Sequence, residues 1–258
     1  MMLSGSQLST LFGTTTQTVT LSAPERFTFY KTSLSSAEKE TARLKKDPAI
    51  MRDMARLDRV LAKAKTPADL FKDTEATRVI LQGLGLADNA QNVGLARRVL
   101  MSDPSDKKAL AATMPDKRWK AAAEKLGFAS TGLSTLRLPS TRQSILDGLV
   151  DYKRLTAIEE KSQAVSDALY LRTMSTTTKT GVYDVLGNKV LRRIASTIAG
   201  LPKELALQEI EAQARTLQRG FKLDDLTDPA KKEKLIQRYL TIAEDKSSVQ
   251  APNFGFNI

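Results

Sequence analysis

The side chains available for chemistry in this chain are carboxylates, lysines and hydroxyls, because its 258 residues include no histidine and no cysteine. Thiolate nucleophiles, thiolate or imidazole metal ligands, and catalytic triads that use histidine as the base are therefore excluded. We predict no enzymatic activity, no catalytic residue, no cofactor and no metal site. The spacing of the remaining reactive residues agrees with that prediction.

Three short segments match the motifs of serine penicillin-binding enzymes. Ser36–Lys39 and Ser105–Lys108 have the S-x-x-K spacing, and Lys179–Gly181 is a K-T-G. Those enzymes carry K-T-G on a strand of a sizeable sheet and also need an S-D-N element. This sequence predicts no such sheet and has no S-D-N element. We interpret the matches as coincidental, and Gly181 as the residue that ends a helix.

Two groups of acidic residues are candidate sites by composition. Asp224, Asp225 and Asp228 lack the glycine and the final glutamate of a calcium loop, so we interpret Asp228 as a helix cap. Glu159 and Glu160 are neighbours within a predicted helix and point to different faces of it. The sequence predicts a solvated surface there rather than a catalytic carboxylate pair.

The elements that position these residues are predicted to be helices, because a proline recurs where a helix would start. The six dipeptides are Asp47-Pro48, Thr66-Pro67, Asp103-Pro104, Met114-Pro115, Leu201-Pro202 and Asp228-Pro229. Proline suits the first helical position, and a preceding Asp or Thr can accept from the free amides. We predict an all-α fold: a multi-helix bundle of short capped helices plus one long central helix, with flexible N- and C-terminal tails. No stretch is apolar enough for a membrane span.

Composition divides the chain into five predicted regions. They are a flexible, uncharged leader over 1–24, an N-terminal helical region over 25–128, a hinge or linker rich in Ser, Thr, Gly and Pro over 129–140, a C-terminal helical region over 141–245, and a tail over 246–258. The long helix is predicted over 141–178, where an apolar stripe continues without proline. At 1.5 Å per residue it would be roughly 55 Å long and would either span both halves or project from the body.

Five residues are predicted to contact partners. Phe254, Phe256 and Ile258 alternate at the chain end, a pattern that can add a strand to the edge of a partner's sheet. Trp119 is the single tryptophan, and we interpret it as a core residue or an interface anchor. Tyr152 lies on the apolar stripe of the long helix, which we take to be a contact element.

The net charge of +11 raises the alternative of a nucleic-acid-associated helical protein. The basic residues are spread along the chain among acidic ones, and no aromatic-rich basic motif accompanies them. This distribution is typical of solvated helix faces. Nucleic acid is therefore the second hypothesis and not the first.

Three segments, 66–86, 98–128 and 212–240, together resemble an all-helical alphaproteobacterial family of unknown function whose members are often found among flagellar genes. The resemblance covers most of 55–245, and its motifs are caps, turns and apolar stripes. It implies a role in the flagellar system and carries no catalytic residue. Other flagellar proteins, or a second copy of the chain, are the partners it implies.

The termini refine this expectation. Axial rod and hook proteins typically carry an Asn-rich N-terminal motif with Pro-Gly-Tyr and heptad helices at both ends, and this chain has polar tails instead. An accessory or assembly factor is therefore favoured over a filament or hook subunit. The N-terminus has no basic segment and no continuous apolar core, so we expect no cleavable signal peptide and a cytoplasmic or flagellum-associated location.

Overall fold

The computed structural model describes residues 20–175 and 179–244, and within these ranges it is all-α, without a strand. No helix in the described ranges is long and apolar enough to cross a membrane. The predicted contact residues Phe254, Phe256 and Ile258 lie outside the described residues, as do most of the predicted leader and all of the predicted tail.

The described helices follow one another with short connections. In chain order they are α1 (Ala23–Ser35), α2 (Ala37–Leu44), α3 (Pro48–Lys63), α4 (Pro67–Leu70), α5 (Thr74–Gly83), a 3-10 turn (Ala87–Asn89), α6 (Val93–Leu100), α7 (Leu110–Thr113), α8 (Lys117–Leu126), α9 (Phe128–Thr131), α10 (Ser134–Arg137), α11 (Pro139–Glu159), α12 (Gln163–Thr173), α13 (Val182–Gly187), α14 (Lys189–Ile198), a 3-10 turn (Lys203–Leu207), α15 (Ile210–Gly220), a 3-10 turn (Leu223–Leu226) and α16 (Pro229–Ile242).

The proline pattern correctly locates three of the six predicted helix starts. Pro48, Pro67 and Pro229 open α3, α4 and α16, and each has a capping residue before it. The other three prolines precede turns or 3-10 segments, or stand before the cap. Pro115, for example, lies one residue before Asp116, whose side chain caps α8 by accepting from the Arg118 amide at 3.0 Å.

Two hydrophobic cores hold the described helices together. Core one is built from buried residues between Leu44 and Val150, and core two from Tyr30 and buried residues between Ile158 and Ala243. α11 links them, because its first part packs on α5 in core one and its last turns reach core two. The expectation that a helix in this region spans both halves is therefore met by α11.

α11 and α5 cross at two glycines. A Cβ on Gly148 would lie 2.0 Å from the Gly83 carbonyl oxygen, and a Cβ on Gly83 would lie 2.6 Å from the Ile145 carbonyl oxygen. The two helix backbones are therefore in direct contact, and neither position has room for a larger residue.

The prediction of a single helix over 141–178 is wrong. The helix ends at Glu159, and α12 begins at Gln163 after a turn. Ser162 is extended, with φ −158° and ψ 113°, and its hydroxyl caps α12 by accepting from the Val165 amide at 3.2 Å. The Ser166 hydroxyl donates to the Leu155 carbonyl at 3.0 Å and holds α12 against α11. The apolar stripe continues through the break because the last turns of α11 and the whole of α12 face core two.

The predicted linker over 129–140 is also corrected. These residues fall in α9, α10 and the start of α11, and Leu133 and Leu136 are buried in core one. Their Ser, Thr and Gly residues make tight turns between short helices. Gly132, for instance, follows α9 with a positive φ of 58°. Just before this segment, Gly127 ends α8 in the left-handed conformation with φ 62°.

α1 packs mainly with the C-terminal helices α12 and α16. Arg26 is buried, and its Nε donates to the Leu240 carbonyl at 2.8 Å at the end of α16. Guanidinium groups suit the unpaired carbonyls of a helix C-terminus. The division into an N-terminal and a C-terminal helical region therefore does not follow the packing of α1.

Candidate functional site

One open concavity among the described residues is a groove between α3 and the segment that carries α4 and the start of α5. We call it the α3 groove. Its volume is about 590 Å³, and it is lined by Arg56, Arg59, Val60, Lys63, Ala64, Asp69 and Asp73. α3 supplies a basic rim and an apolar floor, and the α4–α5 segment supplies two carboxylates.

The basic rim continues along one face of α3. Arg52, Arg56, Arg59 and Lys63 stand at intervals of four, three and four residues, which places them in one row on a helix. All four are exposed. Arg56 pairs with Asp73 at 3.0 Å, whereas the other three have no ion pair among the described residues. The row therefore presents cations that the fold itself does not use.

Both carboxylates of the groove are held by the fold. Asp69 forms a capping box with Thr66 and pairs with Lys72 at 2.8 Å, and these contacts hold the pKa of Asp69 well below its usual range. Asp73 caps α5 by accepting from the Ala76 amide at 2.8 Å. Chiefly because of the Arg56 guanidinium, the pKa of Asp73 is also lowered. Both groups are therefore anionic at neutral pH.

The predicted contact residues within the described ranges lie apart from this groove's lining. Trp119 is 1% exposed and belongs to core one, which agrees with its interpretation as a core residue and leaves no exposed indole for a partner. Tyr152 is partly buried and packs against the same core from α11.

Several residues of the motifs that resemble reactive sites make structural contacts. The Ser36 hydroxyl donates to the Thr32 carbonyl at 2.9 Å, and the Ser105 hydroxyl donates to the Asp103 carboxylate at 2.7 Å. Gly181 begins α13 and does not end a helix, so that prediction is wrong. Asp228 caps α16, as predicted, by accepting from the Ala230 amide at 2.9 Å.

Glu159 and Glu160 are exposed, as predicted, although they stand at the end of α11 and not in its middle. Among the described residues, no group of carboxylates is placed to hold a metal ion.

Core two contains a buried polar network with one residue from each of three helices. Asp167 on α12 accepts from both the Arg193 guanidinium on α14 and the Tyr239 hydroxyl on α16, the latter at 2.7 Å. Burial raises the pKa of Asp167, against the opposing effect of Arg193, and burial together with Asp167 raises the pKa of Tyr239. The carboxylate is 2% exposed and its acceptor positions are used, so we interpret the network as a tie between helices.

Sequence reasoning missed the row on α3, although the signal is present in the sequence. Four basic residues at helical spacing lie within a helix whose start was predicted correctly at Pro48. In the sequence the row is interrupted by Asp53 and Asp58, but on the helix surface these two residues lie elsewhere and pair with Arg78 and Arg142.

These features define an all-α protein with two hydrophobic cores and an open, basic-rimmed groove. A family described as "Protein of unknown function (DUF1217)" matches residues 83–231, which is more than half of the chain. The chain belongs to that family. The α3 groove lies before the matched residues.

Comparison with solved structures shows the same fold in a bacterial protein. The X-ray structure of protein AGR_C_984 from Agrobacterium tumefaciens is similar, with a TM-score of 0.70 and 24% sequence identity over 87% of this chain and 95% of that one. Among curated proteins no match to this chain was found.

Proposed function

We propose that this protein is a non-enzymatic structural or assembly factor of the bacterial flagellum that acts through protein–protein contacts. The observation that supports contact over catalysis is the α3 groove, which is open and carries cations that have no ion pair in the described part of the chain. Of the reactive side chains singled out from the sequence, by contrast, Asp228 caps α16, and the Ser36 and Ser105 hydroxyls donate to neighbouring groups of the chain. Support for the flagellar setting comes from the resemblance of segments 66–86, 98–128 and 212–240.

The test of the flagellar role is a clean deletion of the gene in the bacterium that encodes it. We expect loss or shortening of flagella in electron micrographs and reduced spreading in soft agar, restored by the intact gene supplied in trans. Normal flagella and normal swimming in the deletion strain would contradict the flagellar role.

The test of the contact role is capture of partners by the purified full chain from flagellated cells. We expect flagellar proteins to be enriched over capture from a non-flagellated mutant. A chain lacking 246–258 tests the predicted contribution of Phe254, Phe256 and Ile258, and we expect it to recover less. Equal recovery from the two strains would contradict a flagellar partner.

Association with nucleic acid is the second candidate, and the basic row on α3 together with the net charge of +11 favours it. This candidate predicts an affinity for DNA or RNA that falls steeply with added salt, because bound cations release counterions from the phosphates. Absence of binding at low salt in a gel-shift experiment excludes it.

A further inference from the structure

We propose that the α3 groove docks an acidic segment of a partner protein. The inference rests on the proposed contact function and adds to it a surface and a partner chemistry. It is carried by the charge balance of α3, by the spacing of its cations, and by the apolar floor and carboxylate wall beside them.

The acidic and the basic residues of α3 differ in how many of them form ion pairs with the rest of the fold. Both of its acidic residues are used internally, Asp53 by Arg78 and Asp58 by Arg142, each at 2.9 Å. Of its four basic residues, Arg56 alone has an ion pair within residues 20–175 and 179–244, and its partner is Asp73. The three remaining cations lie in one row on the exposed face, so the unused charge of the helix is concentrated where a partner can reach it.

The spacing of the row fits carboxylates on a polypeptide. Arg52 and Lys63 are eleven residues apart, which is roughly 16 Å along a helix. Successive cations are therefore separated by about 4.5 to 6 Å of helix rise. Acidic residues at helical spacings of three and four in a partner reproduce these intervals, and alternate residues of an extended segment lie about 6.6 Å apart.

The floor of the groove adds a second element of recognition. Val60 is partly exposed there, and Ala64 lies beside it. A segment that interleaves acidic residues with aliphatic ones would pair its carboxylates with the rim and cover this apolar surface. Burial of apolar area strengthens a contact that exposed ion pairs alone would leave weak.

The wall of the groove favours such a segment over nucleic acid. Asp69 and Asp73 line the groove as anions at neutral pH, and both are fixed by caps and ion pairs. A phosphate backbone has charges at fixed, close intervals and would be repelled as it passes them. An acidic peptide can place an aliphatic residue opposite these carboxylates and its own carboxylates opposite Arg59 and Lys63.

The test is fluorescence anisotropy with the full chain and two labelled probes. One probe is a synthetic peptide of repeated Glu-Glu-Leu units, and the other is a DNA duplex of random sequence. The variant Arg59→Glu/Lys63→Glu reverses the two unpaired cations of the groove. The control Arg97→Glu/Arg98→Glu makes the same change of charge in the last turn of α6, at two exposed arginines that form no ion pair with any residue the structure describes. Circular dichroism melts verify that each variant folds.

We expect the groove variant to bind the peptide about tenfold more weakly or worse, and the α6 control to differ from the unmodified chain by less than about twofold. We also expect peptide binding to weaken with added salt, since exposed charges are screened. Equal loss in both variants would show attraction by net charge alone and overturn the proposal. The proposal also fails if the unmodified chain does not bind the peptide. It fails as well if the chain binds the duplex more tightly than the peptide and does so through Arg59 and Lys63.

Failure of this proposal can be told apart from failure of the proposed function. If the groove variant binds the peptide normally while flagellar partners are still captured from cells, the contact function stands and its surface lies elsewhere. If the groove variant loses the peptide but the deletion strain swims normally, the surface is assigned correctly and the flagellar role is wrong.

Discussion

Gly148→Ala is expected to destabilise the protein, although alanine is the better helix former. Gly148 lies where α11 crosses α5, and its new Cβ would lie 2.0 Å from the Gly83 carbonyl oxygen and 2.8 Å from the Gly83 carbonyl carbon. Ordinary contact begins near 3.4 Å, so the helices must separate by about 1.4 Å at this point. The obstacle is backbone, which cannot move aside as a side chain can.

The magnitude follows from two opposing terms. Overpacking in a dense core costs about 1–3 kcal/mol, and a gap of even 0.5–1 Å forfeits a quarter to a half of the dispersion contact of the lining atoms. Replacing glycine by alanine inside a helix stabilises the helix by about 1 kcal/mol, because alanine has the higher helix propensity. Because the clash is with backbone and core one lies on both sides of the crossing, we expect a net loss of about 1–3 kcal/mol in the free energy of unfolding.

Gly94→Ala is the matched control. Gly94 is exposed within α6, and a Cβ there would meet nothing within 4 Å. That variant should gain about 0.4–1 kcal/mol, chiefly by restricting the unfolded chain. The same substitution therefore has opposite signs at the two sites.

The assay is urea denaturation followed by circular dichroism and by fluorescence of Trp119. This residue is the single tryptophan and lies buried in core one, so it reports the core in which the clash occurs. If Gly148→Ala is as stable as the unmodified chain or more stable, the helix crossing is looser than the structure indicates and the reasoning is refuted.

Further predictions concern the polar contacts. Arg193→Met should lower the free energy of unfolding by about 3–5 kcal/mol at neutral pH, because it leaves Asp167 unpaired. Since removal of Arg193 raises the pKa of Asp167 further in the native state, this loss of stability relative to the unmodified chain should shrink as the pH falls. A loss that does not change with pH contradicts the reasoning. Asp73→Asn keeps the cap of α5 but loses the ion pair with Arg56, at a cost of about 0.5–1 kcal/mol at pH 7. Because the pKa of Asp73 is lowered, that stabilisation is lost as the pH falls through its native pKa, so chemical denaturation should find the two proteins converging in acid and not in base. Ser162→Ala should cost about 1 kcal/mol by removing the cap of α12, without raising the helical signal; a gain in helicity would mean that this serine is what prevents one continuous helix.

Local sequence patterns were sufficient to predict the fold class and many helix ends. Caps such as Asp47 and Asp228 and the left-handed Gly127 act within one turn of the chain, so their effects can be predicted from neighbouring residues. The absence of histidine and cysteine likewise limits the chemistry without reference to any structure.

The candidate site was only partly predictable. The row of cations on α3 is present in the sequence as a spacing, but whether each cation is free depends on residues far along the chain. Asp53 pairs with Arg78, 25 residues away, whereas Arg59 has no ion pair among the described residues. Ion pairs between helices are decided when the helices pack, and local pattern does not contain that information.

The sequence by itself determined that the chain forms short capped helices and lacks the side chains for thiol or imidazole chemistry, because these properties depend on composition and on contacts within a turn. The tertiary structure alone decided that the long helix breaks at Ser162, that α1 joins core two, and that residues 129–140 are packed into core one. The physical reason is the same in each case. An apolar stripe indicates that one face of a helix must be buried. Which surface covers that face, and where the chain turns so that the two can pack, are decided only by the packing of distant helices.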